Sequence, residues 1–184
     1  SCSDRNGIRF SIGKGNERFT AEMSERLERL FGLPPTLYRN RDRVAELRIV
    51  NRVAALAWQR LFGFAGAESV TKAVPNIVFN VSESLRLAFL RGYLLGDGTA
   101  ASGRIAFSTS SYDIASALQY LLAASGVVAS TSEFEPDGVI REIRGRPCQT
   151  KQRHWIVTVL GTEDLRTLTT VWQDHAGAPT IEAR

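Results

Sequence analysis

Apolar positions change their spacing several times along the 184 residues, and each change predicts an element. Residues 8–12 (Ile-Arg-Phe-Ser-Ile) alternate apolar and polar side chains, as a strand with one buried face does. Residues 16–31 place Phe19, Met23, Leu27, Leu30 and Phe31 at helical spacing, closed by Gly32 and Pro34-Pro35. Residues 36–50 read as a hairpin around the charged turn Asn40-Arg41-Asp42-Arg43. A second amphipathic helix covers 52–62. A Gly-rich connection and an irregular stretch around Pro75 lead to a helix over about 82–98, with Ser82 as its expected N-cap.

After that helix the earlier order returns. Residues 104–109 read as a strand, 112–125 as an amphipathic helix closed by Gly126, 127–133 and 154–160 as strands, and 162–174 as a last helix. Gly7-Ile8-Arg9-Phe10-Ser11 matches Arg104-Ile105-Ala106-Phe107-Ser108, and each is followed by helix, strand, strand, helix. This is an internal repeat. It predicts an α+β fold of two tandem units with antiparallel sheets and pseudo-two-fold symmetry, divided into residues 1–80 and 81–184.

Composition narrows the function classes. No run of about 18 apolar residues is present, which excludes a membrane-spanning helix. Cys2 and Cys148 are too isolated for a disulfide framework, and with His154 and His175 they give zinc no ligand set. A reduced intracellular setting, cytoplasm or nucleoid, is the expectation. The net charge is +4, and all but three of the 23 basic residues are arginine, the exceptions being Lys14, Lys72 and Lys151. Arginine makes forked contacts to phosphates and guanine edges, although a GC-rich genome gives the same bias.

The segment Leu87–Gly98 (LAFLRGYLLGDG) carries the chemistry. Ala88, Gly92 and Gly96 recur every four residues and so share one helical face, where another backbone could approach closely. Glycine costs about 1 kcal/mol inside a helix, so two on one face call for a packing reason. Asp97 ends the helix, where the macrodipole is already negative. A hard divalent cation would compensate, through carboxylate and carbonyl oxygens; an Asp-Gly turn closing a core helix is the plainer alternative.

Phe89–Gly98 resembles the LAGLIDADG (dodecapeptide) signature in the form found in intein-borne homing endonucleases. Lys72-Ala73-Val74-Pro75 is similar to the Lys-x-x-Pro element that precedes the second signature helix there. The likeness covers nearly the whole chain, with α-β-β-α-β-β-α-related repeats whose two sheets form a saddle for the DNA major groove. The resemblance implies a metal-dependent endonuclease that cuts both strands of a long duplex site. Asp97 would be catalytic and a metal ligand, Gly96 would add a main-chain carbonyl, and Mg²⁺ or Mn²⁺ would be the cofactor. Lys72 would be the basic residue at the scissile phosphate. Ala88, Gly92 and Gly96 would form the interface between two signature helices.

One departure matters. Gly98 precedes Phe107 by nine residues, and nine back from Phe10 is Ser1. The first signature helix is therefore expected just upstream of this chain, or is replaced by the signature helix of a second copy. Such a fragment need not cut alone.

On a DNA-facing sheet the exposed residues would read the duplex. In the first unit these are Arg9, Ser11, Lys14, Arg39, Arg41, Arg43 and Arg48. In the second they are Arg104, Ser108, Ser110, Arg141, Arg144, Arg146, Lys151 and Arg153, five of them in the basic segment 139–153. The tryptophans and Phe31, Phe62, Phe89 and Phe107 read as core. The same fold also serves catalytically inactive DNA- or RNA-binding modules, in transcription regulators and maturases, and could persist as an inert remnant.

Overall fold

The computed structural model describes residues 2–4, 6–13, 19–39, 45–63, 69–101, 103–143 and 146–172. The chain divides into two compact units, Ser1–Ala67 and Glu68–Arg184.

The first unit runs β1 (Cys2–Asp4), β2 (Gly7–Ile12), α1 (Phe19–Phe31), β3 (Thr36–Tyr38), β4 (Ala45–Ile49) and α2 (Arg52–Phe62). Its antiparallel sheet has the order β1-β2-β4-β3, with Ile8 opposite Ile49 and Phe10 opposite Leu47. Alternation sorts the side chains. Ile8, Ile12, Leu47 and Ile49 pack with Leu27 of α1 and Ala54 and Ala55 of α2. Helix α2 keeps its expected bounds because both ends are capped: the Asn51 carboxamide oxygen accepts from the Ala54 N–H at 2.9 Å, and Gly63 closes the helix at φ 69°. Trp58 is half-buried, with Phe10 edge-on at 5.3 Å and Phe62 at 4.3 Å.

The second unit begins with a 3-10 helix, Asn76–Asn80, and continues α3 (Glu83–Asp97), β5 (Gly98–Ala101), β6 (Arg104–Thr109), α4 (Tyr112–Ala123) and β7 (Ser130–Phe134). The hairpin β8 (Ile140–Ile143) and β9 (Arg146–Gln149) follows, then β10 (His154–Val159) and α5 (Thr162–Trp172). The order β5-β6-β10-β7 repeats that of the first sheet, as does the register: Ile105 faces Val159 and Phe107 faces Val157. The repeat read in the sequence is thus a repeat of topology. Its core joins Leu87, Leu90 and Leu94 of α3, Ile105 and Phe107 of β6, and Leu118, Leu121 and Leu122 of α4.

Two boundaries differ from the sequence reading. Residues 68–80, assigned above to the first repeat, belong with the second unit because Val74 and Val78 join its core. Strand β7 starts at Ser130, three residues later than expected. The delay comes from the close of α4: Gly126 turns at φ 73° and the Val127 N–H reaches back to the Leu122 carbonyl at 3.0 Å.

Candidate active site

Helix α3 separates its residues by size. Leu87, Leu90 and Leu94 point into the core, while Ala88, Gly92 and Gly96 are exposed. A Cβ added at Gly92 or Gly96 would have no described atom within 4 Å. In this chain by itself, Gly92→Ala is therefore expected to stabilise the helix by about 0.5–1 kcal/mol through backbone entropy, measured by thermal melting; where a second helix covers this face, the sign reverses. A lowered melting temperature would mean that another backbone rests on Gly92.

The start of α3 departs from expectation. Ser82 flanks the helix, but its hydroxyl bonds the Ser84 hydroxyl at 3.0 Å and caps no backbone N–H. Glu83 in the first turn supplies the charge that the dipole favours there. At the other end the last helical residue is Asp97. The Gly98 N–H closes the ladder on the Leu94 carbonyl, and Gly98 is already the first residue of β5. The Gly96 carbonyl thus lies beyond the last intrahelical bond. The Asp97 side chain is exposed, and among the described residues no cation pairs with it. Nor do the described residues contain a group of three or more His, Cys, Asp or Glu side chains able to hold a metal ion by themselves.

Because Gly98 pairs with Phe107, Asp97 ends α3 beside the C-terminal end of β6. Tyr93, one turn before Asp97, donates its hydroxyl to the Ser108 carbonyl at 3.1 Å and packs against Phe107 and Phe89. Burial pushes the Tyr93 phenol above its ordinary pKa; a hydrogen bond with Thr109 opposes this and the nearby Asp97 charge adds to it. Lys72 is half-buried in an irregular segment. Its carbonyl accepts from the Ser111 hydroxyl at 2.5 Å, and beyond the exposed Ala73 both Val74 and Pro75 are buried. Tyr93, Thr109 and Ser111 were not singled out by sequence reasoning. Only Ser111 left a signal, a serine directly before the apolar period of 112–125.

The expected DNA-reading residues are not all placed alike. Arg9, Ser11, Arg39, Arg104, Ser108, Arg141, Lys151 and Arg153 are exposed, and Arg48 and Ser110 are half-buried. Several are held by acids. Arg48 pairs with Glu46 at 2.6 Å and lies 4.1 Å over the Tyr38 ring, and Arg153 bonds Glu133 at 2.9 Å and also pairs with Glu135. Lys14, Arg41, Arg43 and Arg144 lie outside the described residues, and Arg146 sits in β9 opposite Ile143.

Arg141 pairs with Asp137 at the base of the β8–β9 hairpin. The hydrogen bond from Arg141, helped by the Val139 N–H, lowers the Asp137 pKa from 3.8 to about 2. A depressed carboxylate pKa means the pair is present above the ordinary value and is lost as pH falls through about 2. In a carboxyl-carbon NMR titration Asp137 is expected to turn near the lower value, and Arg141→Gln to return it toward 3.8.

Comparison with known proteins agrees with this layout. Residues 84–172 match the family model of the LAGLIDADG-like domain. A DNA polymerase of Thermococcus sp. (strain GE8) is 29% identical over 142 residues, 76% of this chain, and an A-type ATP synthase subunit from Methanopyrus kandleri is 33% identical over 97 residues, 53% of the chain. The chain spans only 8% and 9% of the lengths of those relatives. Among solved structures, I-DmoI, described as a homing endonuclease and crystallised with DNA and Ca, covers 94% of this chain and 78% of its own, with a TM-score of 0.61 at 11% identity. Full-length DUF199/WhiA covers 90% of this chain and 47% of its own, with a TM-score of 0.50 at 13% identity. No helix among the described residues is long and apolar enough to cross a membrane. Residues 84–172 are a LAGLIDADG-like domain, and the chain carries the LAGLIDADG fold that homing endonucleases share.

Proposed function

We propose that this chain is the DNA-recognising and DNA-cutting module of an intein-type homing endonuclease, specific for a long double-stranded site. The observation that carries the reading is Asp97, an exposed carboxylate at the negative end of a helix whose outer face is Ala88, Gly92 and Gly96. Such a charge is unfavourable for the helix and is worth keeping only for what it binds. The two relatives above support the mobile-element part. One module matched to a small share of two functionally unrelated proteins behaves as an insert rather than as part of either host's machinery.

Mg²⁺ or Mn²⁺ fits the oxygen donors here: the Asp97 carboxylate and the Gly96 carbonyl would hold it, with phosphate and water completing the shell. When bound, the ion supplies Lewis-acid stabilisation of the phosphate and a more acidic water. The side chains of the chain do the rest. Lys72 neutralises charge on the scissile phosphate. Arg9, Ser11, Arg39, Arg48, Arg104, Ser108, Ser110 and the 139–153 arm, with Arg141, Arg146, Lys151 and Arg153, meet phosphates and base edges. Lys14, Arg41, Arg43 and Arg144 belong to the same assignment. A second signature helix, from a preceding segment or a second copy, lies on the Ala88–Gly92–Gly96 face and brings the acid that cuts the other strand. The substrate places the activity in the cytoplasm or nucleoid.

The test uses the complete protein that contains this chain, Mg²⁺, and a duplex in which the host coding sequences on either side of the insert are joined. A double-strand break at the junction is the expected result. Tight binding with no cut in Mg²⁺ or Mn²⁺ would make the chain a binding module, and no binding would make it a remnant.

A further inference from the structure

We infer that Ser111 is a positioning residue of the cleavage reaction, its hydroxyl clamping the Lys72 segment to the frame that carries Asp97. The inference rests on the endonuclease reading above. Residues 72–75 have no regular secondary structure, so no helix or sheet ladder fixes the main chain from which the Lys72 side chain starts. Ser111, 39 residues away in sequence, supplies that fixing through its bond to the Lys72 carbonyl.

The hydrogens can be followed one by one. The Ser111 hydroxyl has a single hydrogen, which goes to the Lys72 carbonyl at 2.5 Å, and its lone pair takes the Ile114 N–H at 3.3 Å. The Ser111 N–H goes to the Thr109 hydroxyl oxygen at 3.1 Å. Thr109 and Ser108 are adjacent residues of β6, and Tyr93 of α3 donates its hydroxyl to the Ser108 carbonyl at 3.1 Å. Ser111 is completely buried. The series starts at Lys72 and ends on α3 one turn before Asp97. It therefore ties the two residues assigned to the chemistry to one rigid strand end. A buried serine that only capped α4 would need the Ile114 contact alone.

Capping and clamping separate by substitution. Glycine is nearly as good an N-cap as serine but has no hydroxyl to donate, and threonine keeps both functions. Cleavage is read as a single-turnover rate in Mg²⁺ on the joined-host duplex, with the dissociation constant of the same duplex measured in parallel, using the complete protein. Ser111→Gly is expected to slow cleavage by about 10- to 100-fold, as loss of positioning does, with affinity changed less than about twofold. Ser111→Thr is expected to restore the rate. Asn51→Ala, which removes a cap in the first unit, controls for stability and leaves the rate of the folded protein unchanged. Should Ser111→Gly unfold, Tyr93→Phe keeps the ring and deletes the far link, and a rate loss at constant affinity is again expected.

The clamp is refuted if Ser111→Gly cuts at the wild-type rate while Lys72→Met does not, and the endonuclease reading then stands. Wild-type cleavage by Lys72→Met would remove the role of Lys72 and the clamp with it. An inactive wild-type protein would remove the reading beneath both.

Discussion

Asp97→Asn is expected to abolish duplex cleavage, by about 10²–10⁴-fold or more, while leaving affinity for the same duplex nearly unchanged. Asparagine has the shape of aspartate and lacks its charge, so it tests the ligand rather than the packing. The side chain is exposed and bonded to no described residue, so its loss disturbs nothing nearby. Stability gives an independent sign. A negative charge at a helix C-terminus is unfavourable by about 0.3–1 kcal/mol, so the inactive variant should melt at the same temperature as the wild type or slightly higher. Cleavage in Mg²⁺, duplex binding by gel shift and thermal melting measure the three quantities. An Asp97→Asn protein that cuts normally would remove Asp97 from the chemistry. One that cuts poorly because it melts early would make Asp97 a structural residue.

How far the sequence could be read follows from which interactions are local. Helix α2 was placed to the residue because Asn51 and Gly63, its two caps, adjoin it. Residues Arg9, Ser11, Arg104 and Ser108 land on exposed strand positions because alternation of period two is set by the pleat. Strands β1 and β5 escaped the reading along the chain. Gly98-Thr-Ala-Ala has no apolar alternation and becomes a strand only by pairing with β6. Residues 68–80 went to the wrong side of the division for a similar reason. Nothing in their own pattern shows that Val74 and Val78 pack with α3 and α4. The proposed site divides the same way. Asp97 and Lys72 were visible from motif and spacing, whereas the series from Ser111 to Tyr93 depends on contacts between residues far apart in sequence. Charge was visible, but its pairing was not: Arg153 sits with Glu133, far from it along the chain, while Arg48 and Arg141 pair with the nearby acids Glu46 and Asp137.

Gly98→Ala is expected to cost the second unit about 2–3 kcal/mol, a fall of about 8–15 °C in melting temperature. Its sign is opposite to that expected for Gly92→Ala, only six positions earlier. Backbone freedom does not explain the difference, since Gly98 has φ −110°, a value open to any residue. The cause is the direct passage from helix to strand. With no linker between Asp97 and Gly98, the chain turns back over its own last turn. A Cβ at position 98 would lie 2.7 Å from the Leu94 Cα and 2.8 Å from the Leu94 carbonyl oxygen. Both are backbone atoms, so a rotamer change cannot relieve the collision; either the last helical turn or the start of β5 must move. Leu94 is a core residue and β5 is paired to β6, so both movements are resisted. Asp97 lies between them and would be displaced whichever yields. Gly98→Ala should therefore reduce cleavage even well below its melting temperature. A Gly98→Ala protein with wild-type stability would show that the junction has room to spare, and the account of how this fold fixes its carboxylate would fail.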